Sequence, residues 1–338
     1  MKPRVSSSDQ VIADTATGSS FTRFQVRFPF LRRDEQHHTK GGTGDHGKHA
    51  DDSGISDHDE VLPHTQSVEG DESPPRADDA FQDDDGDFVV ARPTSKDEYD
   101  VITIEHAMET HLPDVGLQVW LGSILLSNFI LHEHQRFSGC VALELGGGTG
   151  LASIVMATIA KLVICTDIGE DVLNRCQRNI LANAHLPTTK SGDMDSDDLL
   201  VKVRELDWLS PMLTTDKLKT FHWRQEDIGC FEDVDIILAG DVIYSNPLTD
   251  AFFHKLQDLM ERGKPKTCFM ALEKRLNFTL EDLDVTCKEY DHFRDWLRRL
   301  AADHRYSVSQ LSGDIYQYVQ CPLSKYLELW EIQGSPRL

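Results

Sequence analysis

The sequence reads Val141-Ala142-Leu143-Glu144-Leu145-Gly146-Gly147-Gly148-Thr149-Gly150, continues through an apolar run, and reaches Cys165-Thr166-Asp167. A short hydrophobic strand, a glycine-rich turn, a helix of small residues and a second apolar strand ending in an acid follow one another in this order. Glycines allow backbone and ligand to approach closely, and they tolerate positive φ in a turn. The following helix offers free N–H groups at its N-terminus. This order predicts an α/β domain that binds a nucleoside-bearing cofactor.

Two acids and the absence of a lysine indicate the class of cofactor. Asp167 comes 23 positions after Glu144, and it is suited to accept hydrogen bonds from ribose hydroxyls. Glu144 precedes the glycines and Leu151-Ala152-Ser153 follows them, so the motif is not a phosphate-binding P-loop, which ends in lysine. A ligand with an amino group and no phosphate fits this acid better than a pyrophosphate does. On glycine spacing alone, a nicotinamide dinucleotide and a purely structural turn both stay open.

The charge of the chain argues against one class of function. The 338 residues carry a net charge of −23, and residues 41–100 contain 18 Asp and Glu against 4 Lys and Arg, a net of −14. Nucleic-acid binding requires a basic face, so we expect no direct nucleic-acid partner. No apolar run reaches the length of a membrane span, and the N-terminus lacks the apolar core of a signal peptide.

Cysteines and histidines predict neither disulfides nor a metal site. The seven cysteines are scattered without a CxxC pair, which is typical of reduced, buried thiols in an intracellular protein. Six histidines fall within residues 34–97, but their irregular spacing among many acids favours a solvated linker over a metal-binding tract.

Composition divides the chain into three parts. Residues 34–97 are rich in Gly, His, Asp, Ser and Pro with few apolar anchors, which predicts a disordered acidic linker. Within residues 1–33, apolar and polar residues alternate at 24–30, which predicts a strand. Pro29 lies within this run and cannot donate a backbone hydrogen bond, so the strand is predicted at the edge of a sheet. Residues 98–335 form the predicted folded domain.

In that domain strands and helices alternate, which predicts a mostly parallel sheet with helices on both faces. Strands are predicted at 101–104, 140–145, 161–166, 199–203, 234–238, 267–272, 306–311 and 327–332, with 315–319 as a further candidate. Helices are predicted at 115–131, 150–160 and 169–184, after Pro247, and at 280–301, while a polar loop runs to about residue 231.

Polar or aromatic side chains follow each central strand at its carboxyl end, where open α/β sheets bind ligands. In chain order these are the glycines, Asp167, Asp207-Trp208, Gly240 to Tyr244, and Glu273-Lys274-Arg275. Asp207 and Trp208 are candidates to hold an adenine ring; the alternative is a turn with a half-buried Trp. Trp120, four residues after Gly116, either covers the cofactor or belongs to the core.

Asp241 and Tyr244 are the candidate catalytic residues. They lie three positions apart on the turn after the strand predicted to neighbour the glycine strand. A carboxylate and an aromatic ring can orient an incoming amine and solvate its developing charge. The alternative for Asp241 is an electrostatic partner of a helix N-terminus, which leaves Tyr244 unexplained.

These motifs together resemble the seven-strand lysine methyltransferases of family 16, over about residues 100–333. The resemblance implies a Rossmann-like class I methyltransferase fold with S-adenosylmethionine as the cofactor. Asp241 and Tyr244 would then border a lysine channel. The family's usual Ala before the Asp is Gly240 here, which a backbone contact should tolerate. The predicted cofactor-binding residues are Trp120, Glu144, Gly146, Gly148, Gly150, Asp167, Asp207, Trp208 and Gly240.

The resemblance also implies an activity and partners. It implies a protein-lysine N-methyltransferase of the nucleus, and also of the cytoplasm, which acts on a non-histone protein and has chaperones among its partners. Two alternatives stay open: methylation of another protein side chain such as histidine, and a cofactor-binding scaffold without turnover.

Overall fold

The computed structural model describes residues 10–13, 20–29, 99–108, 110, 112–186, 200–275, 277–279, 284–319 and 324–336. The strands are β1 Gln10–Ala13, β2 Ser20–Pro29, β3 Tyr99–Ala107, β4 Val141–Leu145, β5 Leu162–Asp167, β6 Val201–Glu205, β7 Ile236–Gly240, β8 Lys266–Glu273, β9 Asn277–Thr279, β10 Asp284–Thr286, β11 Tyr306–Leu311 and β12 Leu327–Gly334. A 3₁₀ helix at Leu112–Leu117 precedes α1 Leu121–His132, α2 His134–Phe137, α3 Leu151–Ala157, α4 Glu170–Ala182, α5 Gln225–Asp233, α6 Asn246–Met260 and α7 Lys288–Ala301. None of the helices in these ranges has the length and apolar composition that crossing a bilayer requires.

The predicted seven-strand, mostly parallel sheet is confirmed. Its strand order is β11-β12-β8-β7-β4-β5-β6. The five strands from β8 to β6 run parallel, while β12 pairs antiparallel with β8 and β11 with β12. The chain moves outward from β4 through β5 to β6, and then returns to build β7 and β8 on the other side of β4. The strand order therefore reverses between β4 and β7, the position where such sheets form a ligand crevice.

Helices cover both faces of the sheet, as predicted. Successive side chains of a strand point to opposite faces, so Phe269 and Met270 of β8 enter different apolar clusters. Phe269 packs in the cluster that contains α1 and α3, and Met270 in the one that contains α6 and α7. All five residues of β4 are buried, because this central strand is covered on both sides. Such burial explains why the central strands read as continuous apolar runs.

A second, three-stranded antiparallel sheet has the order β1-β2-β3. The predicted edge strand around 24–30 is therefore wrong in one respect: β2 is the central strand of this sheet. Pro29 does not interrupt the ladder, because it is the last residue of β2. The linker predicted at 34–97 lies outside the described residues.

Side-chain amides of α4 and of Asn183, which directly follows it, connect β3 to this helix. Asn183 accepts from the N–H of Thr103 at 2.8 Å and donates to its carbonyl at 2.9 Å. Asn179, one turn earlier, bonds the backbone of Glu105 in the same way and also donates to the Thr149 carbonyl at 2.9 Å. Arg175 completes the row with a 2.5 Å ion pair to the Glu105 carboxylate. Asn179 thus connects β3 to the glycine-rich turn.

Four other element predictions differ from the structure. The helix predicted at 115–131 is a 3₁₀ helix and α1, separated by Trp120 in extended conformation at φ −101° and ψ 151°. The helix predicted at 280–301 begins at Lys288, after the β9–β10 pair. The loop to residue 231 contains most of α5. Residues 315–319 form no strand; the Asn128 side chain holds the backbone N–H and carbonyl of Val319 instead.

Candidate active site

A cleft with about 830 Å³ of empty space, open mouth included, lies at the carboxyl ends of the parallel strands. The structure brings ten of the predicted site residues together along its walls: Trp120, Glu144, Gly146, Gly148, Asp167, Asp207, Trp208, Gly240, Asp241 and Tyr244. Gly150 does not line it. This residue has φ 84° as the N-cap of α3, and its position faces Cys176 beneath the turn.

The glycine-rich turn lies against the backbone that precedes α1. A Cβ added at Gly148 would lie 2.9 Å from the carbonyl oxygen of Gly116, and φ at Gly148 is 53°. Both the conformation and the close approach therefore require glycine. The segment around Gly116 forms one wall of the cleft and the glycine turn forms its floor.

Asp167 connects this turn to the end of β5 through hydrogen bonds. One carboxylate oxygen accepts from the Gly148 N–H at 2.8 Å, and the other accepts from the Ile168 N–H at 2.7 Å. Each carboxylate oxygen has two lone pairs, so Asp167 keeps acceptor capacity toward the cleft. Burial raises the pKa of Asp167, and the two N–H donors oppose that shift.

Glu144 lies at the cleft floor and is 1% exposed. Its Oε2 accepts a hydrogen bond from the Ser153 hydroxyl and lies 3.8 Å from the Cys165 thiol. Burial, and to a lesser extent the nearby Asp167 charge, raises the pKa of Glu144 to about 7. The Glu144 side chain therefore changes charge near neutral pH, and a cation bound in the cleft would favour its ionised form.

Trp208 and Asp207 follow β6 and also line the cleft. The Trp208 ring packs edge-on against Phe252, with centroids 5.4 Å apart, and its Nε1–H is buried with no hydrogen-bond partner. Asp207 is exposed and accepts from the Leu209 N–H at 2.9 Å. Asp207 and Trp208 thus form the strand-end turn that was the alternative to an adenine site. The unpaired indole N–H, however, leaves a donor that a ligand can satisfy.

Trp120 belongs to the cleft wall and not to the core. It is partly exposed, and its Nε1 donates to the Val115 carbonyl at 2.9 Å. The guanidinium of Arg275 lies 4.5 Å above its ring. The position of Trp120 excludes the core alternative, and contact with a cofactor stays a prediction.

Asp241 connects two elements through its side chain. Oδ2 accepts from the Gly122 N–H in the first turn of α1 at 2.5 Å, and Oδ1 accepts from the Glu273 N–H at 2.9 Å. Asp241 is therefore the electrostatic partner of the N-terminus of α1, which was the alternative role considered for it. With φ 55°, Asp241 is the one non-glycine residue at positive φ in the described part of the chain, which indicates a position where function and architecture tolerate strain. Burial raises its pKa.

Asp241 and Tyr244 also line a smaller adjoining pocket with about 250 Å³ of empty space, open mouth included, together with Val115, Trp120 and Arg275. Four of these five residues line the main cleft as well. Burial and the Asp167 charge raise the pKa of Tyr244, whereas Arg275 lowers it. The two pockets therefore meet at the turn predicted to be catalytic.

Sequence reasoning missed two residues of this arrangement. Arg275 was recognised only as a polar group after its strand, and nothing in the local pattern places it above Trp120. Gly122 was not singled out, although a Cβ there would lie 2.6 Å from the Ala271 carbonyl oxygen and 2.7 Å from the Asp241 carboxylate. Gly240 allows a similar approach, because its Cβ would lie 3.1 Å from Ser123 Cα, so an alanine there requires α1 to yield slightly.

Comparison with known proteins places the chain in a family. Residues 96–286 match the family described as lysine methyltransferase. The chain is 45% identical over 256 residues to human Methyltransferase-like protein 22. The aligned region covers 74% of this chain and 62% of that protein. The chain thus spans about three fifths of the length of this relative. It is also 26% identical over 160 residues to the mouse Protein-lysine N-methyltransferase EEF2KMT, covering 44% of this chain and 42% of that one.

Among solved structures, an O-methyltransferase from Bacillus cereus in complex with SAH aligns with a TM-score of 0.37 at 16% identity, covering 63% of this chain and 80% of that chain. The family match spans more than half of the chain, and the human relative is 45% identical over about three quarters of it. The chain belongs to the lysine methyltransferase family.

Proposed function

We propose that this chain is an S-adenosylmethionine-dependent protein-lysine N-methyltransferase that acts on a non-histone protein. Family membership supports methyl transfer to a protein. The family resemblance alone supports the non-histone substrate, the nuclear and cytoplasmic location, and the chaperone partners.

The charge of the cleft is the observation that carries the choice of cofactor. The residues described along its wall include the acids Glu144, Asp167, Asp207 and Asp241 and no lysine or arginine. These acids repel the negative charges of a pyrophosphate and attract a cation. S-Adenosylmethionine carries a sulfonium, an ammonium and one carboxylate, and therefore has a net positive charge. This charge favours S-adenosylmethionine over the nicotinamide dinucleotide, which glycine spacing alone did not exclude.

The residues present fit each part of this cofactor. Asp167 keeps acceptor capacity for ribose hydroxyls, and the unpaired Trp208 Nε1–H offers a donor. Glu144 provides a carboxylate at the floor for the amino group. When bound, the cofactor supplies an electrophilic methyl group on a positively charged sulfur.

The turn from Asp241 to Tyr244 supports an amine acceptor. The smaller pocket that it lines opens beside the cleft, so an acceptor side chain there would lie next to the cofactor. Holding two reactants in line converts their encounter into an effectively unimolecular step. The aromatic rings of Trp120 and Tyr244 can solvate the positive charge that develops on nitrogen.

Methyl transfer to unfractionated protein tests this function. The full chain is incubated with tritiated methyl donor and protein extract from cells that lack the chain, and the hydrolysed products are separated by amino-acid analysis. We expect label in Nε-methyllysine, and Tyr244→Ala, which removes the aromatic ring, should lower it at least tenfold. Label in methylhistidine would favour the alternative acceptor, and donor binding by calorimetry without transfer would favour a scaffold.

Asp167→Ala should weaken cofactor binding at least tenfold, about 1.4 kcal/mol. The substitution removes the candidate ribose acceptor and frees the Gly148 and Ile168 N–H groups, which loosens the glycine turn. Isothermal calorimetry with the methyl donor measures the effect. Asp207→Ala, at an exposed acid of the same cleft, is the matched control, and we expect its loss to be smaller. An unchanged dissociation constant for Asp167→Ala would contradict the assignment.

Cofactor binding should also strengthen between pH 6 and pH 8. Glu144, with a pKa of about 7, is mostly protonated at the lower pH and mostly ionised at the higher one. A cationic ligand binds better to the ionised form, so the dissociation constant should fall about tenfold over this range. Glu144→Gln should flatten this dependence. The ligand's own amino group titrates equally with both proteins, so only the difference between them reports Glu144.

A further inference from the structure

Arg275 brings a positive charge to the wall of the smaller pocket. Its guanidinium lies 4.5 Å over the Trp120 ring and 3.8 Å from Asp241 Oδ1. Its side chain is 35% exposed, so the group is held between an aromatic face and a carboxylate without being enclosed. Among the described residues that line the two pockets, Arg275 is the one cation.

The charges around this pocket come from several elements. Asp241 and Tyr244 face it from the turn after β7, Glu273 acts on Asp241 from the end of β8, and Asp167 acts on Tyr244 from the end of β5. Without Arg275 the acids would give the pocket a negative potential. That potential would hold a lysine as its ammonium, since a nearby carboxylate favours the charged form.

A lysine ammonium has no lone pair with which to attack a methyl group, and free lysine is almost fully protonated at neutral pH. An acceptor site for lysine therefore has to admit a cation and then release its proton. A guanidinium beside the Asp241 carboxylate offsets the negative charge and disfavours a second cation at the same wall.

We propose that Arg275 sets the charge of the acceptor pocket, so that the substrate lysine reacts there as its neutral amine. This inference rests on the proposed function. The lysine ammonium first gives a proton to solvent. The neutral nitrogen then donates its lone pair to the methyl carbon, the carbon–sulfur bond breaks with its electron pair going to sulfur, and the product is a methylammonium and a neutral thioether.

A titration without substrate tests the electrostatic part. Arg275 lowers the pKa of Tyr244, so Arg275→Met should make Tyr244 ionise at a higher pH than in the wild type. NMR of ring-labelled tyrosine measures this, with Tyr244→Phe to assign the signal. Arg299, which lies 5.2 Å over Trp296 on α7, provides a matched control, and Arg299→Met should leave Tyr244 unchanged. Identical titration in Arg275→Met would overturn the inference.

The pH profile of methyl transfer tests the chemical part, with the same cell extract as acceptor and label counted in Nε-methyllysine. At pH 7 we expect Arg275→Met to lose about tenfold in rate, equivalent to a lysine that is harder to deprotonate by one pH unit. This deficit should shrink as the pH rises, because a higher pH deprotonates the lysine in both proteins. Arg275→Lys, which keeps the charge, should retain the wild-type profile.

The other outcomes separate the two proposals. An equal loss at every pH, or no loss at all, would overturn the role of Arg275 while leaving the methyltransferase in place. A wild type that labels no lysine at any pH would overturn the proposed function and this inference together.

Discussion

Asp241→Ala is expected to lower the free energy of unfolding by about 3 kcal/mol and to reduce methyl transfer at least a hundredfold. The substitution leaves the Gly122 and Glu273 N–H groups without their acceptor, and each buried unsatisfied donor costs about 1–3 kcal/mol. It also places alanine at φ 55°, a conformation that Asp and Asn adopt more readily. Transfer should fall further than stability alone requires, because Asp241 lines the smaller pocket and holds the start of α1, next to Trp120, and the end of β8, close to Arg275.

Chemical denaturation and methyl-transfer assays at a temperature where the variant stays folded measure the two effects. Asp235→Ala is the matched control: Asp235 precedes β7 at its other end, accepts from the Val141 N–H at 2.9 Å and pairs with Lys264. We expect Asp235→Ala to lose about 1 kcal/mol of stability and to keep its full methyl-transfer activity. Full transfer by Asp241→Ala would contradict its catalytic role, and an unchanged free energy of unfolding would contradict its architectural role.

The parallel sheet could be predicted because its signals are local. Each of β4, β5, β7 and β8 is an apolar run covered on both faces, and the side chains after each strand converge because parallel strands end at the same edge. This geometry brings Asp167, Trp208 and Tyr244 to one cleft although they are far apart in sequence. The order of polar groups after successive strands was therefore enough to assemble most of the site.

The errors have physical causes that a local pattern does not contain. The apolar spacing between Gly116 and Leu125 fits one helix, but the chain extends at Trp120 so that its ring reaches the cleft wall. The helix α5 was missed because a buried acid anchors it: Asp227 is 0% exposed and pairs with Lys202 and Arg204 of β6. Long-range ion pairs of this kind leave no periodic signal.

The contact between Gly122 and Asp241 joins residues 119 positions apart, which is why the sequence did not reveal it. This contact predicts that the start of α1 has no room for a larger side chain at position 122. Gly122→Ala should destabilise the fold by about 3 kcal/mol, at the upper end of overpacking costs, because the new Cβ would lie 2.6 Å from the Ala271 carbonyl oxygen and 2.7 Å from the Asp241 carboxylate. Nine of the twelve residues of α1 are buried, so the helix cannot move away without opening the core.

Gly229→Ala provides the matched control for this substitution. Gly229 also lies in a helix, α5, but it is exposed and a Cβ there meets no atom within 4 Å. Alanine at such a position should stabilise the protein by about 0.5–1 kcal/mol, since glycine is the poorer helix former. Denaturation curves for the two variants should therefore shift in opposite directions, and Gly122→Ala should also lose methyl transfer because Trp120 and Ser123 move with the start of α1. Equal stability of both variants would show that α1 does not depend on the close approach at Gly122, and the architectural role assigned to Asp241 would fail with it.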